Sequence, residues 1–274
     1  MKVFRCSAIV GLLCAVASSA QAQTAPDIVA RMLAEYERRA EGIDDYTLIQ
    51  EVMGLETVSY FEREMVDGRP VFRLRRSSAG GMDVPDSGQG GLDEIYSIGA
   101  ELGERATYRG VERIDDYDLH VLDVSDFSGL GFGRNVTPDS EFAPRGGTIF
   151  LDVDTYAPRR LEFEGEMTNA QGVHTVSSTI EMGDYREVEG LLVPFRTVVQ
   201  IEGLGAAIDP ETRAQFERMQ RELESMPPEQ RAMVESMMAE QLEQFRAMMS
   251  GEDAPMTVRI LVREVRVNAG PPAR

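Results

Sequence analysis

The chain has 274 residues, with 28 basic and 47 acidic side chains, a net charge of −19, no tryptophan, two histidines and two cysteines. So acidic a balance lacks the positive footprint that a nucleic-acid backbone or an anionic membrane surface needs, which argues against both as partners. Cys6 and Cys14 both precede Ala22, so a chain processed there holds no disulfide, thiolate metal site or cysteine nucleophile.

Lys2 and Arg5 precede an apolar stretch from Ala8 to Ala17 and then Ala20-Gln21-Ala22. A positive start, a short apolar core and a small-residue cleavage site make a Sec signal, cut after Ala22, and place the protein in the periplasm. Residues 23–268 are expected to form a single domain and 269–274 a disordered tail. Thr24-Ala25-Pro26-Asp27 reads as a helix start, with a capping hydroxyl, a proline in the first turn and an acid three residues on. Ile28, Val29, Met32, Leu33 and Tyr36 then share one helical face, and Gly42 is a plausible stop.

Strands are expected at about 46–54, 56–66 and 70–77, with Asp67-Gly68 as turn chemistry between the last two. Residues 78–91 and 128–147 read as glycine-rich loops, separated by a short helix near 92–104 and strands at 107–114 and 117–125. From Thr148 to Gly203 the chain is nearly all strand, and Met256–Asn268 supplies a final one. Along one of these strands Leu161, Phe163 and Met167 alternate with Arg160, Glu162, Glu164 and Glu166, the mark of a sheet with one dry and one wet face. The order predicts an α+β domain built on one antiparallel sheet.

Residues 209–250 interrupt the pattern. Phe216, Met219, Leu223 and Met226 form one helical stripe, and Val234, Met238, Leu242, Phe245 and Met249 form a second beyond Pro227-Pro228. Two amphipathic helices joined at a double proline make a helical hairpin inserted before the last strand. Its dense methionines suit either a surface that fits irregular apolar partners or filler between hairpin and sheet.

Catalytic chemistry is sparse. His120 and His174 lie in strand-like segments, and no H-E-x-x-H, G-x-S-x-G or phosphate-binding loop surrounds them. Asp115, Asp116, Asp118, Asp123 and Asp126 cluster, and Asp152 and Asp154 precede a turn, but their spacing does not match a calcium loop. Turn chemistry accounts for them more economically. No catalytic residue, metal or cofactor is expected.

The helix opening Pro26-Asp27-Ile28-Val29-Ala30, the stretch from Phe150 to Leu161 (FLDVDTYAPRRL) and the stretch from Asp184 to Thr197 (DYREVEGLLVPFRT) resemble bacterial outer-membrane lipoprotein-sorting proteins of the LolA/LolB type. That resemblance implies an incomplete β-barrel: a strongly curved antiparallel sheet wrapping helices, with an apolar cavity between them. It also implies a non-enzymatic lipid or lipoprotein carrier, whose partner is a lipid or an acylated lipoprotein. The alternative is an envelope sensor or interaction module with a protein partner. If a cavity exists, its wall is expected from Leu161, Phe163, Met167, Val193, Phe195, Val258 and Ile260, with a filled core as the competing reading of each. The hairpin would then be a lid or docking arm, through Phe216, Met219, Leu223, Val234, Met238, Leu242, Phe245 and Met249. The chain departs from that family in its acidity, its missing tryptophan and the Met-rich insertion.

Overall fold

Thr24 opens the first helix as its side chain requires. In the computed structural model its hydroxyl accepts the Asp27 backbone N–H at 3.4 Å, and the Asp27 carboxylate accepts the Thr24 N–H at 3.0 Å. This reciprocal cap starts α1 (Ala25–Arg39), which buries Ile28, Val29, Met32, Leu33 and Tyr36. The structure describes residues 23–84, 94–127, 141–169, 172–203 and 255–272, together with scattered positions between 214 and 231.

Among the described residues eleven strands follow the helix: β1 (Asp45–Val52), β2 (Leu55–Val66), β3 (Arg69–Ala79), β4 (Met82–Val84), β5 (Ala106–Ile114), β6 (Tyr117–Val124), β7 (Glu141–Asp152), β8 (Pro158–Asn169), β9 (Gly172–Val188), β10 (Leu191–Glu202) and β11 (Met256–Val267). Two short helices, α2 (Glu94–Ser97) and α3 (Ala100–Arg105), precede β5. Turn chemistry sets the hairpins. Asp67 and Gly68 have φ of 51° and 80°, the paired left-handed geometry of a two-residue turn whose twist matches its strands.

The strands make one antiparallel sheet in the order β4-β3-β2-β1-β11-β10-β9-β8-β7-β6-β5, and β11 enters between β1 and β10. Among the described residues its two edges do not pair, so the sheet is open. It is also strongly wrapped. Nine strand spacings separate β3 from β5, about 43 Å in a flat sheet at roughly 4.8 Å per strand. Yet Phe72 of β3 lies edge-on to Tyr36 of α1 at 6.5 Å, while β5 contacts the same helix. A helix is only about 10 Å wide, so the sheet must curl around it. This is the incomplete barrel that the sequence led us to expect.

Two large apolar cores pack against the inner face. One joins Ile28, Val29, Met32 and Leu33 of α1 to Leu102 of α3, Leu122, Ile149, Leu151, Leu161, Phe163 and Met182. The other joins Tyr36, Ala40 and Ile43 to Tyr46, Phe61, Phe72, Leu191, Val193, Val262 and Val267. Tyr96 bridges them by stacking on Tyr36, with ring centroids 3.9 Å apart.

Four features differ from the sequence reading. Met82–Val84 pairs with β3 inside the stretch read as a glycine-rich loop. The strand Glu141–Asp152 begins well before Thr148, because Pro144 and Gly146 are accommodated at a bulge against β8. The helix near 92–104 is two pieces, and α1 stops three residues before Gly42. In the inserted segment the described residues are helical at 221–223 and 230–231 and not helical at Met226 and Pro227. The insertion leaves and rejoins the sheet at adjacent strands, where Ile201 faces Met256.

Candidate binding site on the inner face

Alternation and register build the site. Across β8, β9, β10 and β11 the ladder aligns Leu161 with Ile180, Ile180 with Val199 and Val199 with Val258. The next row on the same face runs from Met182 through Thr197 and Ile260 to Val52. Three strand spacings give the first row a length of about 14 Å. At one end Leu161 is 5% exposed beneath α1. Towards β11 the cover thins: Val52, Val199, Val258 and Ile260 are half-buried and, among the described residues, lie outside both cores.

The residues expected to line a cavity are thus distributed along this face. Leu161 and Phe163 belong to the core under the helices, where Phe127 meets Phe163 edge-on at 5.2 Å. Val193 lies in the second core with Phe195 packed against it, and the Arg186 guanidinium lies 4.2 Å above the Phe195 ring. Met167 forms a small cluster with Val176 and Ile201. Leu161 and Val258 share one row, whereas Val193 and Met167 mark different ends of the face. In the inserted segment Leu223 is buried and Met219 half-buried. Phe216, Val234, Met238, Leu242, Phe245 and Met249 lie outside the described residues.

A polar clamp ties α1 to the turn between β7 and β8. Asp152 accepts Arg159 Nε and Nη2 at 3.2 Å each, and also the Thr155 backbone N–H and hydroxyl at 2.9 Å. Burial alone would raise the Asp152 pKa, but the Thr155 hydrogen bonds and the Arg159 charge outweigh it and hold the carboxyl below its usual value. The Arg159 guanidinium lies 4.3 Å from the Tyr117 ring centroid and 4.8 Å from that of Tyr185, whose hydroxyl donates to the Pro158 carbonyl. From the helix side, Arg39 donates to the Thr155 carbonyl at 2.7 Å and Arg31 to the Tyr156 hydroxyl at 3.1 Å.

A groove of about 400 Å³ lies elsewhere, lined by Asp123, Thr148, Glu162, Glu164, Ser177 and Thr179 among others. Alternation puts Thr148, Glu162 and Thr179 on the face opposite Leu161 and Ile180. Two of its acids are engaged: Thr148 donates to Asp123 at 3.0 Å, and Arg160 pairs with Glu162 at 2.7 Å. Among the described residues no group of three histidine, aspartate or glutamate side chains could hold a metal ion.

No protein-family model matches the sequence, and no curated protein matches it. Solved structures do. A lipoprotein-sorting protein domain from Vibrio parahaemolyticus is 11% identical at a TM-score of 0.42, covering 90% of this chain and 93% of its own. A DUF1329 family protein from Desulfovibrio piger gives the same identity, coverage and TM-score. A LolA superfamily protein from Nitrosomonas europaea is 12% identical at 0.34, covering 91% and 96%.

Sequence reasoning missed the clamp and the row members Ile180, Val199 and Val52. Alternation along β9, β10 and β1 carries the signal for the row, but only the register joins them. The Asp152-x-x-Thr155 spacing signals a side-chain-capped turn, while its partners Arg31 and Arg39 come from over a hundred residues upstream.

Proposed function

We propose that the chain is a non-enzymatic carrier of the bacterial envelope, exported to the periplasm, which holds an acyl chain of a lipid or lipoprotein against the inner face of its sheet. The observation that carries this reading is the continuous apolar row from Leu161 to Val258, which leaves the helix-covered core and runs into half-exposed positions on β10 and β11. An acyl chain gains about 0.8 kcal/mol per buried methylene, so ten methylenes contribute roughly 8 kcal/mol without any specific polar partner. That suits a face carrying valine, isoleucine and methionine in place of hydrogen-bonding groups.

The test is native mass spectrometry with lipid extraction on protein purified from its own envelope, followed by uptake of a fluorescent fatty acid. A stoichiometric lipid, and uptake abolished by Val258→Asp, is the expected result. A clean apo mass with no uptake overturns it and turns the search to an envelope protein partner.

A further inference from the structure

The clamp has a member that carriage does not use. His120, on β6, is 4% exposed and lies beneath the turn that α1 grips. Its Nδ1 is 2.8 Å from the Tyr108 hydroxyl of β5. Its ring stacks on Tyr156, centroids 5.3 Å apart and planes 24° from parallel. Tyr156 in turn accepts from Arg31 of α1 and adopts a φ of 55°, a conformation uncommon outside glycine. One imidazole therefore underlies the contact by which helix and turn hold each other.

We propose that His120 makes this helix–turn grip acid-sensitive: proton uptake on the buried ring weakens the seat of Tyr156 and loosens α1 from the inner face. The groups facing the ring are Tyr108 from β5, Tyr156 and Asp152 from the turn and the end of β7, and Arg31 from α1. Burial first, and then the Arg31 charge, depress the histidine pKa below 6.5, against a smaller upward pull from Asp152. A depressed folded value means that the neutral ring contributes stability in full above pH 6.5, and that this is lost as the pH falls towards the folded value. A state in which α1 has lifted and the ring is wet binds the proton more tightly. Its population rises by up to about tenfold for each pH unit below the open-state value. The device does not depend on what occupies the inner face.

Hydrogen exchange of the purified protein at pH 7.5 and pH 5.5, corrected for intrinsic rates, tests it through peptides covering 25–39 and 152–156. Wild type should show opening up to about tenfold more frequent at pH 5.5 in both peptides. His120→Asn, whose amide can replace the contact to Tyr108 but cannot titrate, should abolish the difference. His174→Asn, which changes the other histidine, should preserve it. Equal protection at both pH values, or a response that survives His120→Asn, overturns the proposal. Should His120→Asn fail to fold, an NMR titration of the wild-type ring decides: a midpoint at or above 6.5 overturns it, and a lower midpoint accompanied by shifts in α1 supports it.

Discussion

Arg159 meets Asp152 through two nitrogens, both 3.2 Å from the same carboxylate oxygen, while its guanidinium lies over the rings of Tyr117 and Tyr185. With side chains 15% and 11% exposed, this ion pair differs from the many exposed pairs along the strands. A surface pair contributes about 0–1 kcal/mol, but breaking a shielded one strands its partner. Asp152→Ala should therefore cost about 3 kcal/mol in urea unfolding, with Asp152→Asn costing less. The Asp152 pKa is lower in the fold, so its contribution is fully present above pH 3.8 and lost as the pH falls through the folded value. Acid unfolding of Asp152→Asn should lack that component.

Tyr36 and Tyr96 stack at 3.9 Å with planes 13° apart, and they join the two inner cores. Tyr36→Ala should cost about 3–5 kcal/mol. Because the rings touch, the double variant with Tyr96→Ala should be less destabilised than the sum of the singles, by about 0.5–1.5 kcal/mol in a double-mutant cycle.

Leu161 and Val258 share a row but not a role. Leu161→Ala, in the packed core, should lose about 2–5 kcal/mol of stability. Val258→Ala, at a half-exposed position, should lose less than about 1 kcal/mol. The carrier reading expects Val258→Asp to lower fatty-acid affinity by at least about tenfold, or 1.4 kcal/mol, beyond any loss seen with Val258→Thr, which keeps the shape and the strand propensity.

Gly147 of β7 faces Phe163 of β8 just past the bulge. A Cβ there would run into the Glu162 carbonyl oxygen, a backbone atom that cannot swing aside. Gly147→Ala should cost more than the roughly 1–3 kcal/mol of ordinary overpacking, read as a lowered urea midpoint or lost soluble yield.

Much of this was legible in the chain, and the failures share a cause. The Thr24–Asp27 cap, the Asp67-Gly68 turn and the alternation along β8 each depend on residues a few positions apart. Strand β4 has three residues in a glycine-rich stretch, too short for any period to register. The early half of β7 was hidden by Pro144, Gly146 and Gly147, which break strands unless a bulge receives them. The site is harder still. Leu161 and Val258 meet through three registers, and Arg31 reaches Tyr156 across 125 residues. Nothing local in the sequence encodes those distances.

The pairing of Ile201 with Met256 puts the exit and re-entry of the Met-rich segment side by side in the sheet. Its two stems enter the sheet as neighbours, so a short turn joining them would leave all eleven strands in register. Ring-closure entropy changes by only about 0.6 kcal/mol for each doubling of loop length. The register of the sheet therefore tolerates a change of length in this stretch, and trimming it would cost chiefly the burial of Leu223.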